Sequence, residues 1–237
     1  MANANVQQIK EFKEQYCTSS DNRFRIKDHF NVEIVSYEEL LPGNTIRSYA
    51  TGNRRIDGSF IMFKVTDTYN DIIYYPVFSE SVGRELVNRW EIQLPSKMTV
   101  FTNGGNGGEN IHGAGGHGIH RNEDNYEMLH LIQFARSMMI LHVMEPRPMG
   151  EPFKGIYSKL ESHPQYTVWE RNIKCVNTAI RNFLDGPTNT NNENFTNLQQ
   201  YIDYLERRYP DLHLRNFNFD TLRLRMIKRY PEETIVF

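Results

Sequence analysis

Residues 103–120 read Asn-Gly-Gly-Asn-Gly-Gly-Glu-Asn-Ile-His-Gly-Ala-Gly-Gly-His-Gly-Ile-His and hold about half of the chain's 15 glycines and three of its 8 histidines. Glycine visits positive φ without steric cost, so such a run can turn successive backbone N–H groups toward an anion, or let the chain cross a crowded contact. Gly113 to Gly118 formally fits the dinucleotide pattern G-x-G-x-x-G, but about ten residues separate it from the preceding strand, and the upstream strands read as antiparallel, so a Rossmann site is not expected. A looser anion or nucleotide contact would use Gly113, Gly115, His117 and Arg121 near the start of the following helix. His112, His117 and His120 lack the cysteine or carboxylate company of a zinc site, so no metal is expected. His130 and His142 fall in a helical pattern and read as partly buried, hydrogen-bonded groups. Cys17 and Cys175 carry no local protease signature, and Ser79, Ser81 and Ser96 stand outside any nucleophile elbow. Glu38 with Glu39, and Glu232 with Glu233, read as solvated charge. No catalytic residue is assigned, and an enzyme is disfavoured.

The elements that position these residues change character along the chain. Val6, Ile9, Phe12 and Tyr16 recur at helical spacing, which predicts an amphipathic N-terminal helix whose stripe needs a partner. The polar stretch 18–25 offers no second helix beside it, which leaves docking at a distance or on another molecule open alongside simple capping of its own domain. Short extended runs follow at 32–37, 45–51, 59–66, 72–78, 85–94 and 97–102, separated by turn signals such as Asp57-Gly58 and Thr68-Tyr69-Asn70-Asp71. They predict an antiparallel sheet or sandwich. Helices are expected at about 124–144, stopped by Glu145-Pro146, at 167–184, ending at Gly186-Pro187, and from Phe195 to Leu205 before Pro210. Pro146, Pro148 and Pro152 read as a stiff connection, and the tail around 222–227 fits helix or strand equally. One domain over 1–237 is expected: a projecting helix at 1–17, a mainly β region at 30–102 and a mainly helical one at 124–209.

A chain of 237 residues with 39% hydrophobic and 24% charged residues can bury a sizeable core. A net charge of −2 with dispersed basic residues predicts no specific nucleic-acid surface. No run is apolar enough for a signal peptide or a membrane span, so a cytosolic chain with no membrane partner and two reduced thiols is expected. The unusual count is aromatic: 13 Tyr and 14 Phe against 2 Trp. Tyrosine suits surfaces where one end is dry and the other hydrogen-bonded.

The helix at Val6 to Tyr16, the sheet region Ser59 to Phe78 and the loop and helix from Gly115 to Met144 together resemble the plan of a cypovirus polyhedrin; residues from Thr188 onward lie outside that resemblance. Polyhedrins form the crystalline occlusion bodies of insect reoviruses. The resemblance implies an α+β fold with an antiparallel β-sandwich flanked by helices. It implies homotrimers packed into a lattice in the cytoplasm of the infected cell, with virus particles as cargo. It also implies an N-terminal helix that clasps neighbouring subunits through Val6, Ile9, Phe12 and Tyr16. No cofactor is required, with room for a bound nucleotide. Tyr74, Tyr75, Tyr201 and Tyr204, with Tyr209 and Tyr230, are then candidates for lattice hydrogen bonds that fail in alkali, since tyrosine ionises near pH ~10. The alternative expectation is a soluble nucleotide- or phosphate-binding protein or enzyme built on loop 103–120.

Overall fold

The computed structural model describes residues 1–50, 54–102, 123–163, 165–186, 194–215 and 218–237. The fold is α+β, 46% helical and 16% strand. The described residues divide into two compact units, residues 1–98 with 142–148, and 99–141 with 149–237, where the sequence reading takes one domain.

In the first unit the chain opens with β1 (Ala2–Asn3), α1 (Val6–Tyr16), α2 (Ser20–Phe24) and α3 (Ile26–His29). Asn5 caps α1 in a capping box: its side chain accepts from Gln8 N at 3.0 Å, and Gln8 Oε1 accepts from Asn5 N at 2.8 Å. The strands are β2 (Asn31–Glu39), β3 (Ile46–Arg47), β4 (Arg55–Ile56), β5 (Ser59–Asp67), β6 (Ile72–Tyr74) and β7 (Val77–Ser79), followed by α4 (Glu80–Trp90). β5 is the hub: it pairs antiparallel with β2, β6 and β7, and its residues from Phe60 to Phe63 are buried. A central strand with buried neighbours on both faces reads as a near-continuous apolar run, as Phe-Ile-Met-Phe does here. The sheet is mixed, because β1 runs parallel to β6, with Ala2 opposite Ile72. β3 and β4 form a separate two-stranded ladder.

Asp67 closes the β5–β6 turn by accepting from the backbone of Tyr69 and Asn70, each at 3.0 Å, while Asp71 takes a positive φ of 58°. The expected strand at 85–94 falls instead on the C-terminal half of α4, up to Trp90, and on the irregular segment that follows it. The buried residues of α4, Gly83, Leu86, Val87 and Trp90, repeat at three and four, not two, and pack with Ile61 and Phe63 in one core. The residues at 97–102 contribute isolated bridges, Glu38 to Met98 and Phe101 to Leu214, and form no strand of their own.

The second unit contains α5 (Glu123–Met139), α6 (Phe153–Ser162), α7 (Glu170–Leu184), α8 (Leu198–Arg208) and α9 (Asp220–Arg229). α6 begins directly after the stiff connection that ends at Pro152, in chain for which the sequence suggests no element; its Phe153, Ile156, Tyr157 and Leu160 are buried at helical spacing. α9 resolves the ambiguous tail as helix. The Glu127 carboxylate on α5 accepts from Leu222 N at 3.0 Å, satisfying an otherwise orphaned donor at the start of α9. Asn177 on α7 is fully buried and holds the C-terminal segment by donating to Thr234 O at 2.8 Å and accepting from Val236 N at 2.9 Å.

Gly83 sets how closely α4 approaches β5. A Cβ there would lie 2.8 Å from Ile61 Cδ1 and 2.9 Å from Ile61 Cβ, too near the backbone for a rotamer change to relieve. Alanine would gain about 1 kcal/mol of helix propensity, but overpacking a buried contact costs about 1–3 kcal/mol. Gly83→Ala is therefore expected to lower the urea midpoint; an unchanged or raised midpoint would show that this contact does not constrain the helix.

Candidate functional site

The expected assembly helix is docked on its own unit. Phe12 is buried, with its ring stacked on Tyr74 at 4.5 Å and edge-on to Phe30 at 5.7 Å. Tyr16 and Ile9 are half-buried, and only Val6, 85% exposed, projects into solvent. α2 lies in the stretch 18–25 read as lacking a neighbouring helix, and α3 follows it directly. The expectation of a stripe waiting for another subunit therefore gives way to internal packing over Phe12 and Tyr16.

Two of the expected lattice tyrosines are likewise internal. Tyr201 is fully buried, shares a 2.7 Å hydrogen bond with Ser137 and packs against Phe195. Tyr74 is buried under Phe12, while Tyr204 packs half-buried beside Phe195 and Tyr201. Tyr75 remains half-exposed. Gly113, Gly115, His117 and Arg121, with His112 and His120, lie outside the described residues.

Ile9, Tyr74 and Tyr75 meet at one cleft of about 540 Å³ in the first unit, a convergence the sequence did not suggest. The other walls include Lys13 from α1, Arg47 and Tyr49 at and beyond β3, Ile73 and Val77 of the sheet, and residues 145–148. Arg47 holds that last segment twice: its N–H donates to Met144 O at 2.8 Å, and its guanidinium meets Glu145 at 3.2 Å. The Lys13 ammonium lies 4.1 Å from the centre of the Tyr49 ring. Burial, then the nearby Glu145 and Cys17, push the Tyr49 phenol up, so it stays a neutral donor. Burial also pushes the Cys17 thiol up, to about 12, against the pull of Arg23 and Lys13, so it is no thiolate nucleophile.

A second concentration of charge joins β2, α4 and Lys97. The Tyr37 hydroxyl donates to Glu80 and accepts from Arg84 at 2.9 Å, Arg84 pairs with Glu80 at 2.8 Å, and Lys97 reaches Glu80 at 3.5 Å. Partial burial alone would raise the Glu80 carboxyl; the Tyr37 and Arg84 hydrogen bonds and the Lys97 charge outweigh it and hold it at about 2. Burial, with the hydrogen bond to Glu80, raises the Tyr37 phenol. A fixed carboxylate beside a fixed phenol offers no acid or base poised near neutral pH, so the cluster acts as a clamp. The i,i+4 spacing of Glu80 and Arg84 signals it only once 80–90 is read as helix.

In the second unit Arg225 makes the corresponding clamp, pairing with Asp124 and, at 2.7 Å, with Glu170. On α9, Leu224 and Ile227 stand 67% and 51% exposed while Leu222 and Met226 are buried. Trp169 is 53% exposed. Among the described residues no group of three His, Cys, Asp or Glu side chains gathers as a metal site, and no helix is long and apolar enough to cross a membrane. No protein family, curated protein or solved structure matches the chain.

The Glu80 clamp has a defined pH signature. A carboxyl held at about 2 rather than its ordinary 4.5 contributes stability that is present above 4.5 and lost as pH falls toward 2. Glu80→Gln is expected to be less stable than wild type at neutral pH, with the difference closing over that acid window in urea titrations. Parallel curves at all pH values would show that the clamp contributes nothing.

Proposed function

We propose that this protein is a structural, self-assembling protein of polyhedrin type, which packs as homotrimers into crystalline occlusion bodies in the cytoplasm of an infected cell, encloses virus particles and releases them in alkali. The reading carries with it the finer architecture of a β-sandwich flanked by helices, no enzymatic activity and no required cofactor. The observation that supports it most is the pair Leu224 and Ile227, one turn apart on the solvent side of a helix whose other side is already buried. Burying a Leu or Ile side chain against a second copy would gain about 1.5–3 kcal/mol each. Val6, Tyr69 and Trp169 add exposed apolar anchors on separate elements. A net charge of −2 leaves little repulsion between copies.

Alkaline release follows from the tyrosines. Burial raises the phenols of Tyr37, Tyr49, Tyr74 and Tyr201, in Tyr74 with help from Asp67 and Glu11. An acid whose folded value is raised favours folding fully below its unfolded value, 10.0 for tyrosine, and loses that contribution as pH rises beyond it. Expressed at high level in insect cells, the chain is expected to form intracellular crystals that persist at neutral pH and dissolve above pH ~10. Leu224→Glu with Ile227→Glu should leave the circular dichroism unchanged and abolish the crystals. A freely soluble wild-type monomer at high concentration would overturn the reading.

A further inference from the structure

We propose that the cleft between α1, β6 and residues 145–148 is a binding site for a small organic monocarboxylate with a flat apolar body. Its volume of about 540 Å³ lies within the range of small-molecule sites, roughly 300–1,000 Å³. Its walls divide by chemistry. Ile9, Ile73, Val77, Pro146 and Pro148 supply apolar surface, and Tyr49 and Tyr75 add aromatic side chains with polar tips. Such a lining extracts an apolar body from water and favours a flat one through ring stacking.

The sign of the ligand's charge follows from Lys13. Arg47 is paired with Glu145 at 3.2 Å, and Arg147 has a contact of its own. Lys13 makes no ion pair among the described residues; its ammonium instead faces the Tyr49 ring. The Lys13 ammonium, with no carboxylate paired to it among the described residues, selects an anionic group, and a single carboxylate costs less to desolvate against the apolar walls than a dianion does. A lysine is a compact point charge suited to a single carboxylate, whereas an arginine fork would favour bidentate recognition. The stiff Pro146 and Pro148, tied to β3 through Arg47, keep the wall in place without a ligand.

Equilibrium dialysis of the full chain reads bound probe whether the protein is dispersed or assembled, so this test stands apart from the self-assembly reading. The probes are 2-naphthoate, the neutral 2-naphthalenemethanol and 2-naphthyl phosphate. Saturable binding of naphthoate is expected, about tenfold tighter than the alcohol and tighter than the phosphate. Lys13→Met should weaken naphthoate about tenfold and leave the alcohol unchanged, Lys13→Arg should retain most of the affinity, and Lys10→Met, on the exposed side of α1, should change nothing. Naphthoate bound no better than the alcohol, an unaltered Lys13→Met, or no saturation would overturn the assignment. The comparison of acid with alcohol on the wild-type chain decides it even if Lys13→Met fails to fold.

Discussion

The stack of Phe12 on Tyr74 decides what the first thirty residues can do. With ring centres 4.5 Å apart and Phe30 edge-on beside them, α1 is fixed against β6, and β1 extends that attachment by pairing in parallel with the same strand. Once the helix is anchored at Phe12, the rest of its stripe is distributed by geometry: Tyr16 joins the aromatic cluster, Ile9 and Lys13 turn to the cleft, and Val6 is left in water. An aromatic pair of this kind adds about 0.5–1.5 kcal/mol beyond the area it buries. Releasing the helix to clasp another subunit would forfeit that, along with the burial of Phe12. A role for α1 between subunits therefore falls to Val6 and the polar side, with the helix still docked.

The two charged clamps solve a similar problem with different means. Glu80, Arg84, Lys97 and Tyr37 join β2, α4 and the segment after it, while Arg225, Asp124 and Glu170 join α9, α5 and α7. In each, hydrogen-bond geometry and several partners raise the pair above an isolated surface ion pair, which contributes about 0–1 kcal/mol. Each also fixes register between elements distant in sequence, where apolar packing alone tolerates small slides.

What was legible in the sequence follows from where period and local chemistry agree. β2 and β5 carry extended apolar runs bounded by turn residues, and α5, α7 and α8 carry clear helical stripes; each lies near its expected position. The second half of α4 reads as strand because Val87 and Trp90 are β-favouring side chains, while Leu86, Val87 and Trp90 carry a helical period, and packing against β5 decides for the period. α6 hid behind Pro148 and Pro152, which precede the helix instead of interrupting it. The cleft was not legible at all, since Lys13, Tyr49, Tyr75 and Pro146 are scattered in sequence and meet only because of tertiary pairing.

The placement of the tyrosines changes how alkali would act on the proposed assembly. A phenol in a contact between copies ionises at the cost of that contact alone and leaves each subunit folded. Tyr201 is instead sealed inside its own unit, bonded to Ser137, and Tyr74 packs beneath Phe12 at the edge of the cleft. Ionising Tyr201 puts charge into a core, and ionising Tyr74 puts it under the Phe12 ring, so water must enter for the charge to be tolerated. Loosening at Tyr74 also undoes the seat of α1, so the N-terminal helix and the cleft wall would be lost together. Alkaline release from the proposed assembly would then proceed through the subunit, with assembly contacts failing because the surfaces that present them lose their shape.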